Sequence, residues 1–323
     1  MNRPLRVTAA IVCLMLLQGC SHTGLRQALR QNVPATEGKP RLLAVYEPWF
    51  GHPQHISVGY SSQDPVTIRK QMDEAKGLGI SAFVVDWYGS REPFIDRSYA
   101  LIQVAAAEKK FQVAMMYDES AAATDTATDE TLVALEQFRD AYLAPNSPGR
   151  EAYLSYDGRP MIFVFPKSGH TDWKRVREEV NRWTPSPLLI YEFRSTPYAD
   201  AMDGFYAWIN PGRKGWAADG GNWGEDYLRG FYAKMQSKYS DKIAVGAAWA
   251  GFDDSKAAWG LNRHMSQRCG ETWTDTLRLA REYSENHNLP FLLIATWNDY
   301  EEGTAIERGL AKCKGESGAS AGQ

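Results

Sequence analysis

Two kinds of apolar spacing alternate along residues 41–297. Short runs in which nearly every position is apolar recur at 42–46 (LLAVY), 81–87 (SAFVVDW), 111–117 (FQVAMMY), 161–165 (MIFVF), 188–191 (LLIY), 204–209 (GFYAWI), 243–249 (IAVGAAW) and 291–297 (FLLIATW). Most lack the apolar–polar alternation of a half-exposed strand, so they predict strands covered on both faces. Between them lie segments with apolar residues at helical spacing: 64–79, 98–110, 129–143, 172–183, 225–239 and 272–287. Several open on Asp, Ser or Thr, whose side chains satisfy the free amides of a first turn, and Asp64-Pro65 sets Pro at the first helical position.

Buried strands alternating with helices predict an α/β protein, a single (β/α)8 TIM barrel. An open doubly wound sheet is the alternative architecture. No glycine-rich phosphate turn follows the first strand, so the nucleotide-binding form of that sheet lacks its signature. Only 304–314 (TAIERGLAKCK) remains after the last strand, so the final helix is expected to be short or missing. No linker-like stretch interrupts 41–314, which reads as one domain.

The two ends differ in character. Arg3 and Arg6 precede an apolar stretch, 8–17, too short to span a bilayer, as in an export signal. It closes on Leu-Gln-Gly-Cys at 17–20, which resembles a bacterial lipoprotein box. The resemblance implies removal of 1–19, lipidation of Cys20, a polar tether over 20–40 and a membrane contact through the lipid. An ordinary secretory signal is the alternative. Ser21 is not the Asp that retains some lipoproteins at the inner membrane, which points to the outer membrane, facing the periplasm of a Gram-negative cell. The small polar tail 315–323 is expected to be disordered.

The chain is 323 residues long and 44% hydrophobic, ample for a large core. Its net charge is −3 and no basic run stands out, which argues against a nucleic-acid partner. Cys269 and Cys313 are candidates for a disulfide, since export places them in an oxidising compartment. Neither belongs to a Cys/His metal pattern; His52 and His55 sit in a loop at a spacing of three, and no Asp-x-Asp-x-Asp-Gly loop occurs. No metal and no cofactor is expected.

Chemistry in such a barrel sits at the carboxyl ends of the strands. The first strand runs into Tyr46, Glu47 and Trp49; the second gives Asp86 and Trp87, the third Tyr117 and Asp118, the fifth Tyr191 and Glu192. Trp208 and Asn210 follow the sixth, Trp249 the seventh, and Trp297, Asn298, Asp299 and Glu302 the eighth. Carboxylates mixed with indoles and phenols suit sugars, whose C–H faces stack on rings and whose hydroxyls donate to carboxylates. Breaking a glycosidic bond also takes two carboxyl groups, one acid and one base. Asp299 and Glu302 would face one cleft if the chain turns helically after the strand, leaving Glu301 to solvent or to a structural Arg. Glu302 would then need a raised pKa, which the nearby Asp299 would supply. Bland readings stand beside these: acids at 299–302 also suit a helix start, and Trp87, Trp208 and Trp249 would fit a core equally well. No G-x-S-x-G elbow for a serine nucleophile occurs.

The chain resembles the glycoside hydrolases of families 99 and 71 over most of 41–308. The resemblance is carried by 46–51 (YEPWFG), 59–65 (GYSSQDP), 70–89 (KQMDEAKGLGISAFVVDWYG), 203–208 (DGFYAW), 251–254 (GFDD) and 297–307 (WNDYEEGTAIE). Family 99 typically shows Asn-Glu-Trp-His-Glu-Gly-Thr and family 71 Asn-Asp-Tyr-Gly-Glu-Ser; the stretch from Asn298 to Thr304 stands between them. The resemblance implies a (β/α)8 enzyme that cleaves within α-linked chains, α-mannan or α-1,3-glucan. It implies Asp299 as base and Glu302 as acid, with Asp118 as a further site acid and Trp208 where family 99 has a tyrosine. Family 99 retains configuration through the substrate's own 2-hydroxyl and family 71 inverts with water; both routes stay open. The expectation is a monomeric, endo-acting glycoside hydrolase taking an oligo- or polysaccharide. The alternative is a non-catalytic glycan-binding or polysaccharide-assembly lipoprotein on the same barrel. A glycosyltransferase comes third, because export separates it from cytoplasmic nucleotide sugars.

Overall fold

The computed structural model describes residues 39–167 and 170–310. Eight strands carry the fold: β1 (Arg41–Tyr46), β2 (Ile80–Trp87), β3 (Gln112–Asp118), β4 (Arg159–Phe165), β5 (Leu188–Glu192), β6 (Gly204–Tyr206), β7 (Ile243–Ala248) and β8 (Phe291–Ile294). Each pairs in parallel with its neighbours in sequence, including β3 with β4. The ring closes where β8 pairs with β1, Arg41 opposite Phe291 through Ala44 opposite Ile294. This is the expected TIM barrel.

Six α-helices lie among the described residues: α1 (Pro65–Gly77), α2 (Pro93–Lys109), α3 (Ala127–Phe138), α4 (Trp173–Val180), α5 (Glu225–Ser237) and α6 (Glu271–Ser284). Asp64 caps α1, accepting from the Val66 and Thr67 amides at 3.0 and 3.2 Å, and Asp172 accepts from the Lys174 and Arg175 amides at the start of α4. Such caps contribute about 1 kcal/mol each. Helix α2 starts earlier than its apolar spacing indicates, because Pro93 is already set for a first helical position. The expected helix at 129–143 is α3 followed by a wider π turn over Arg139–Leu143. The β5–β6 connection has only a single turn at Ala199–Ala201. Residues 295–310 after β8 form turns, so the last helix is missing among the described residues.

The strands are apolar on both faces because both are covered. Val84, Met115, Phe163 and Leu189 are fully buried, and each such side chain contributes roughly 1.5–3 kcal/mol. The amino end of the barrel is tied by Asp203, just before β6. It accepts from Arg159 at the start of β4 (3.1 Å), from Arg177 of α4 and from the Leu189 amide of β5 (2.9 Å).

Cys269 is disulfide-bonded. Cys313 lies outside the described residues, as do the signal segment, Cys20, most of the tether and the tail. Among the described residues no helix is long and apolar enough to cross a membrane.

Candidate active site

Successive side chains of a strand point to opposite faces. At the carboxyl ends this alternation sorts each acid from its aromatic neighbour. Tyr46 faces α1, donating its hydroxyl proton to Gln71 (2.8 Å), and Glu47 turns inward. Trp87 faces α2 and donates its indole N–H to Asp96 (3.1 Å), while Asp86 points inward. Tyr117 faces α3 through Thr131 (3.1 Å); Asp118 points inward, its Oδ2 3.3 Å from Lys167 Nζ just after β4. Tyr191 meets Trp173 of α4 edge-on at 6.0 Å, and Glu192 turns inward to pair with Arg194. Trp249 donates to the Trp223 carbonyl (3.1 Å), and Trp297 packs on Phe83 at 5.5 Å.

The aromatic half of the expected site therefore needs correction. Tyr46, Trp87, Tyr117, Tyr191, Trp249 and Trp297 are buried and offer no exposed face to a sugar. Asn210 is also displaced: it is exposed, and its Oδ1 accepts from the Gly212 amide (2.7 Å) to close a loop turn. Trp208 stays at the rim, half-buried and edge-on to Phe165 and Tyr206 at 5.4 and 6.2 Å. Trp49 is buried within the loop that follows β1.

The acids do come together. Asn298 clasps Glu47 through both backbone groups, accepting from its amide (2.8 Å) and donating to its carbonyl (2.9 Å). Thr296 Oγ1 accepts from the Asp299 amide (2.8 Å), and Asp299 Oδ1 accepts from the amides of Glu301 and Glu302, both at 2.9 Å. The carboxylate of Asp299 thus folds the turn that presents Glu302. Glu302 Oε1 accepts from the indole N–H of Trp259 (2.8 Å). Glu301 goes neither to solvent nor to an Arg. It is buried, accepting from the Ile56 amide (3.1 Å) and lying 2.8 Å from His55 Nδ1, and His55 stacks on Trp49 at 4.8 Å.

Crowding these carboxyls out of water makes their protons hard to remove. Burial holds Glu47 well above the usual carboxylate range, with Asp86, Asp299 and Glu302 adding to it. Burial and the charge of Asp118 do the same to Asp86, while Lys167 opposes. Burial and the charge of Glu302 push Asp299 up to about 8, against the pull of its two amide hydrogen bonds. Glu302 is raised by burial and moderated by the Trp259 N–H, Lys167 and Arg263. Burial works against the Lys167 ammonium, but Asp118 and Asp86 outweigh it and hold its pKa up. Glu47 Oε2 and Asp86 Oδ1 are buried with no hydrogen-bond partner among the described residues. Acceptors left so are suited to the hydroxyls of a glycan. Among the described residues no three His, Cys, Asp or Glu side chains are disposed to hold a metal ion.

Lys167 and Trp259 were not expected. Lys167 is two residues beyond β4 and shows up once that strand's end is read like the others. Trp259 lies in the long loop after β7, where no periodicity marks it.

The glycosyl hydrolase family 71 profile matches residues 54–316. The GH99 endo-alpha-mannosidase of Bacteroides thetaiotaomicron is 18% identical, with a TM-score of 0.64 over 84% of this chain and 89% of that one. Its complex with BIS-TRIS-propane gives 18% and 0.63 over 85% and 89%. A glycoside hydrolase-like protein is 15% identical, with a TM-score of 0.61 over 85% and 89%. At these identities the likeness concerns the barrel. No curated protein matches the chain. The profile covers most of the sequence, strands β2 to β8 and the acid turn included, so this glycoside hydrolase belongs to glycosyl hydrolase family 71.

Proposed function

We propose that the enzyme cleaves internal bonds of an α-linked glycan, with Asp299 and Glu302 as the working pair. One observation carries this reading: the two carboxyls share one turn at the end of β8, Asp299 buried and Glu302 partly so, close enough for the charge of Glu302 to hinder ionisation of Asp299. Such a pair titrates as a unit. While it holds a single proton, one carboxyl can give as the other takes.

Glu302 protonates the glycosidic oxygen as the bond to the anomeric carbon breaks and its electrons leave with that oxygen. Asp299 removes the proton from the attacking oxygen. Its Oδ1 is held by two amides, so the carboxylate is aimed before substrate arrives. Glu47 and Asp86 accept from sugar hydroxyls, and Lys167 keeps the cleft from accumulating uncompensated negative charge. If the attacking oxygen belongs to water, configuration inverts; if it is the sugar's own 2-hydroxyl, it is retained. Family 71 membership and the fold shared with an endo-alpha-mannosidase support an α-linked substrate.

The test is release of reducing ends from α-mannan and α-1,3-glucan by the soluble domain. An Asp299→Asn, Glu302→Gln protein is the control, and the anomer of the first product is read by NMR. Release that persists in the control would remove both residues from the mechanism. The sequence at 17–20 supports, in addition, a lipid anchor at Cys20, and Ser21 after it an outer-membrane location. Fatty-acid labelling in cells that persists in Cys20→Ser would overturn the anchor.

A further inference from the structure

The loop between β7 and α6 is built around one exposed tryptophan. Trp259 is 43% exposed, yet its N–H is committed to Glu302 Oε1 at 2.8 Å. The loop beneath it is closed by Asp254, which is fully buried and accepts from the Leu261 amide (3.0 Å), the Arg263 amide (2.7 Å) and Arg263 Nε (2.7 Å). Gly260 lies so close to the base of the loop that a Cβ there would stand 1.9 Å from the Asp254 carbonyl oxygen. On the cleft side, Trp49 and His55 meet the indole edge-on at 6.0 and 6.1 Å. His55 is itself fixed by Glu301, the residue before Glu302. The loops after β1 and β7 thus clamp the indole from two sides and leave its one polar atom aimed at Glu302.

This contact constrains chemistry. An N–H can only donate, so Oε1 is occupied in either protonation state. The carbonyl oxygen of a protonated carboxyl is its stronger acceptor, so this contact favours a proton on Oε2. The same donor favours the ionised carboxylate over the protonated one.

We propose that Trp259 is the positioning residue of Glu302. It occupies Oε1, leaves Oε2 to carry and deliver the proton, and offers its exposed ring face to the sugar on the leaving-group side. The proposal rests on Glu302 being the acid.

Two variants separate the roles: Trp259→Phe keeps a ring and loses the N–H, and Trp259→Ala loses both. On the glycan, Trp259→Phe should lower kcat about tenfold at unchanged KM, the size expected for one hydrogen bond to a charged group. It should also move the alkaline limb of the kcat profile to higher pH. Trp259→Ala should raise KM several-fold as well, as the loss of a stacking face requires. On an aryl glycoside whose leaving group needs no proton, Trp259→Phe should turn over like wild type. Wild-type kcat and pH profile in Trp259→Phe would overturn the proposal, and so would an equal loss on both substrates. A readout independent of activity is the indole 15N–1H resonance of Trp259, assigned by its absence from Trp259→Phe. It should shift as Glu302 titrates and stay flat in Glu302→Gln; a flat titration in wild type overturns the hydrogen bond. Full activity of Glu302→Gln, with the indole titration intact in wild type, would overturn the acid role and the catalytic half of the proposal with it.

Discussion

Asp299 is held at one oxygen by two amides, and Glu302 at one oxygen by an indole. Each is left with a second oxygen for chemistry, so removing either should be severe. Asp299→Asn and Glu302→Gln are each expected to lower kcat on the order of 10³-fold. Glu302→Gln should recover most of its rate on an activated aryl glycoside, where no proton need be delivered; a comparison of kcat on the two substrates checks this. Because the pair needs one shared proton, activity should decline as pH rises through about 8, the value to which burial and the charge of Glu302 lift Asp299, since the pair as a unit gives up that proton there. A pH–kcat profile flat to pH 10 would contradict it. The same protons bear on stability. Burial raises the folded pKa of Glu47 and Asp86 above the unfolded value, so the folded state binds their protons more tightly. Their contribution is fully present below the ordinary carboxylate pKa and is lost as pH climbs through the raised value. Glu47→Gln should therefore raise Tm by a few degrees at pH 8 and hardly at all at pH 4, a difference that calorimetry at the two pH values would measure.

At the scale of the element, apolar runs were enough to reveal every barrel strand, because a strand covered on both faces has no polar side to blur it. Helix starts at Asp64 and Asp172 were equally plain, since capping is local chemistry. What the runs could not reveal was which of two neighbours at a strand end faces the cleft. Glu47 and Tyr46, or Asp86 and Trp87, differ only in parity, and parity is fixed by pairing with other strands. That is why the acids of the expected site came together and most of its aromatics did not. The loop that presents Trp259 is a second case. Its shape follows from three donors converging on Asp254, a contact between residues with no shared period. Gly260→Val should crowd the Asp254 carbonyl, displace the loop and reproduce the kinetics of Trp259→Ala. Only a small change in Tm is expected, because the barrel strands are untouched; kinetics and a melting curve on one preparation would decide.

The whole molecule divides its two ends by task. The amino end is held by Asp203 with Arg159 and Arg177, and the carboxyl end collects acids that repel one another. Asp203→Ala should lower stability by about 1–3 kcal/mol, since Arg159 and Arg177 lose their carboxylate and keep chiefly backbone carbonyls, and the Leu189 amide loses its acceptor. It should leave kcat unchanged, because nothing at that end reaches the cleft; denaturant unfolding beside a rate measurement tests both halves. Strand parity has a further consequence for how such a chain can change over time. One residue inserted into a strand near its carboxyl end would exchange the two faces beyond that point, putting indoles in the cleft and carboxylates under the helices. Two residues would restore the original faces. Lineages descending from this barrel should therefore vary strand length in steps of two and keep their single-residue insertions for the loops.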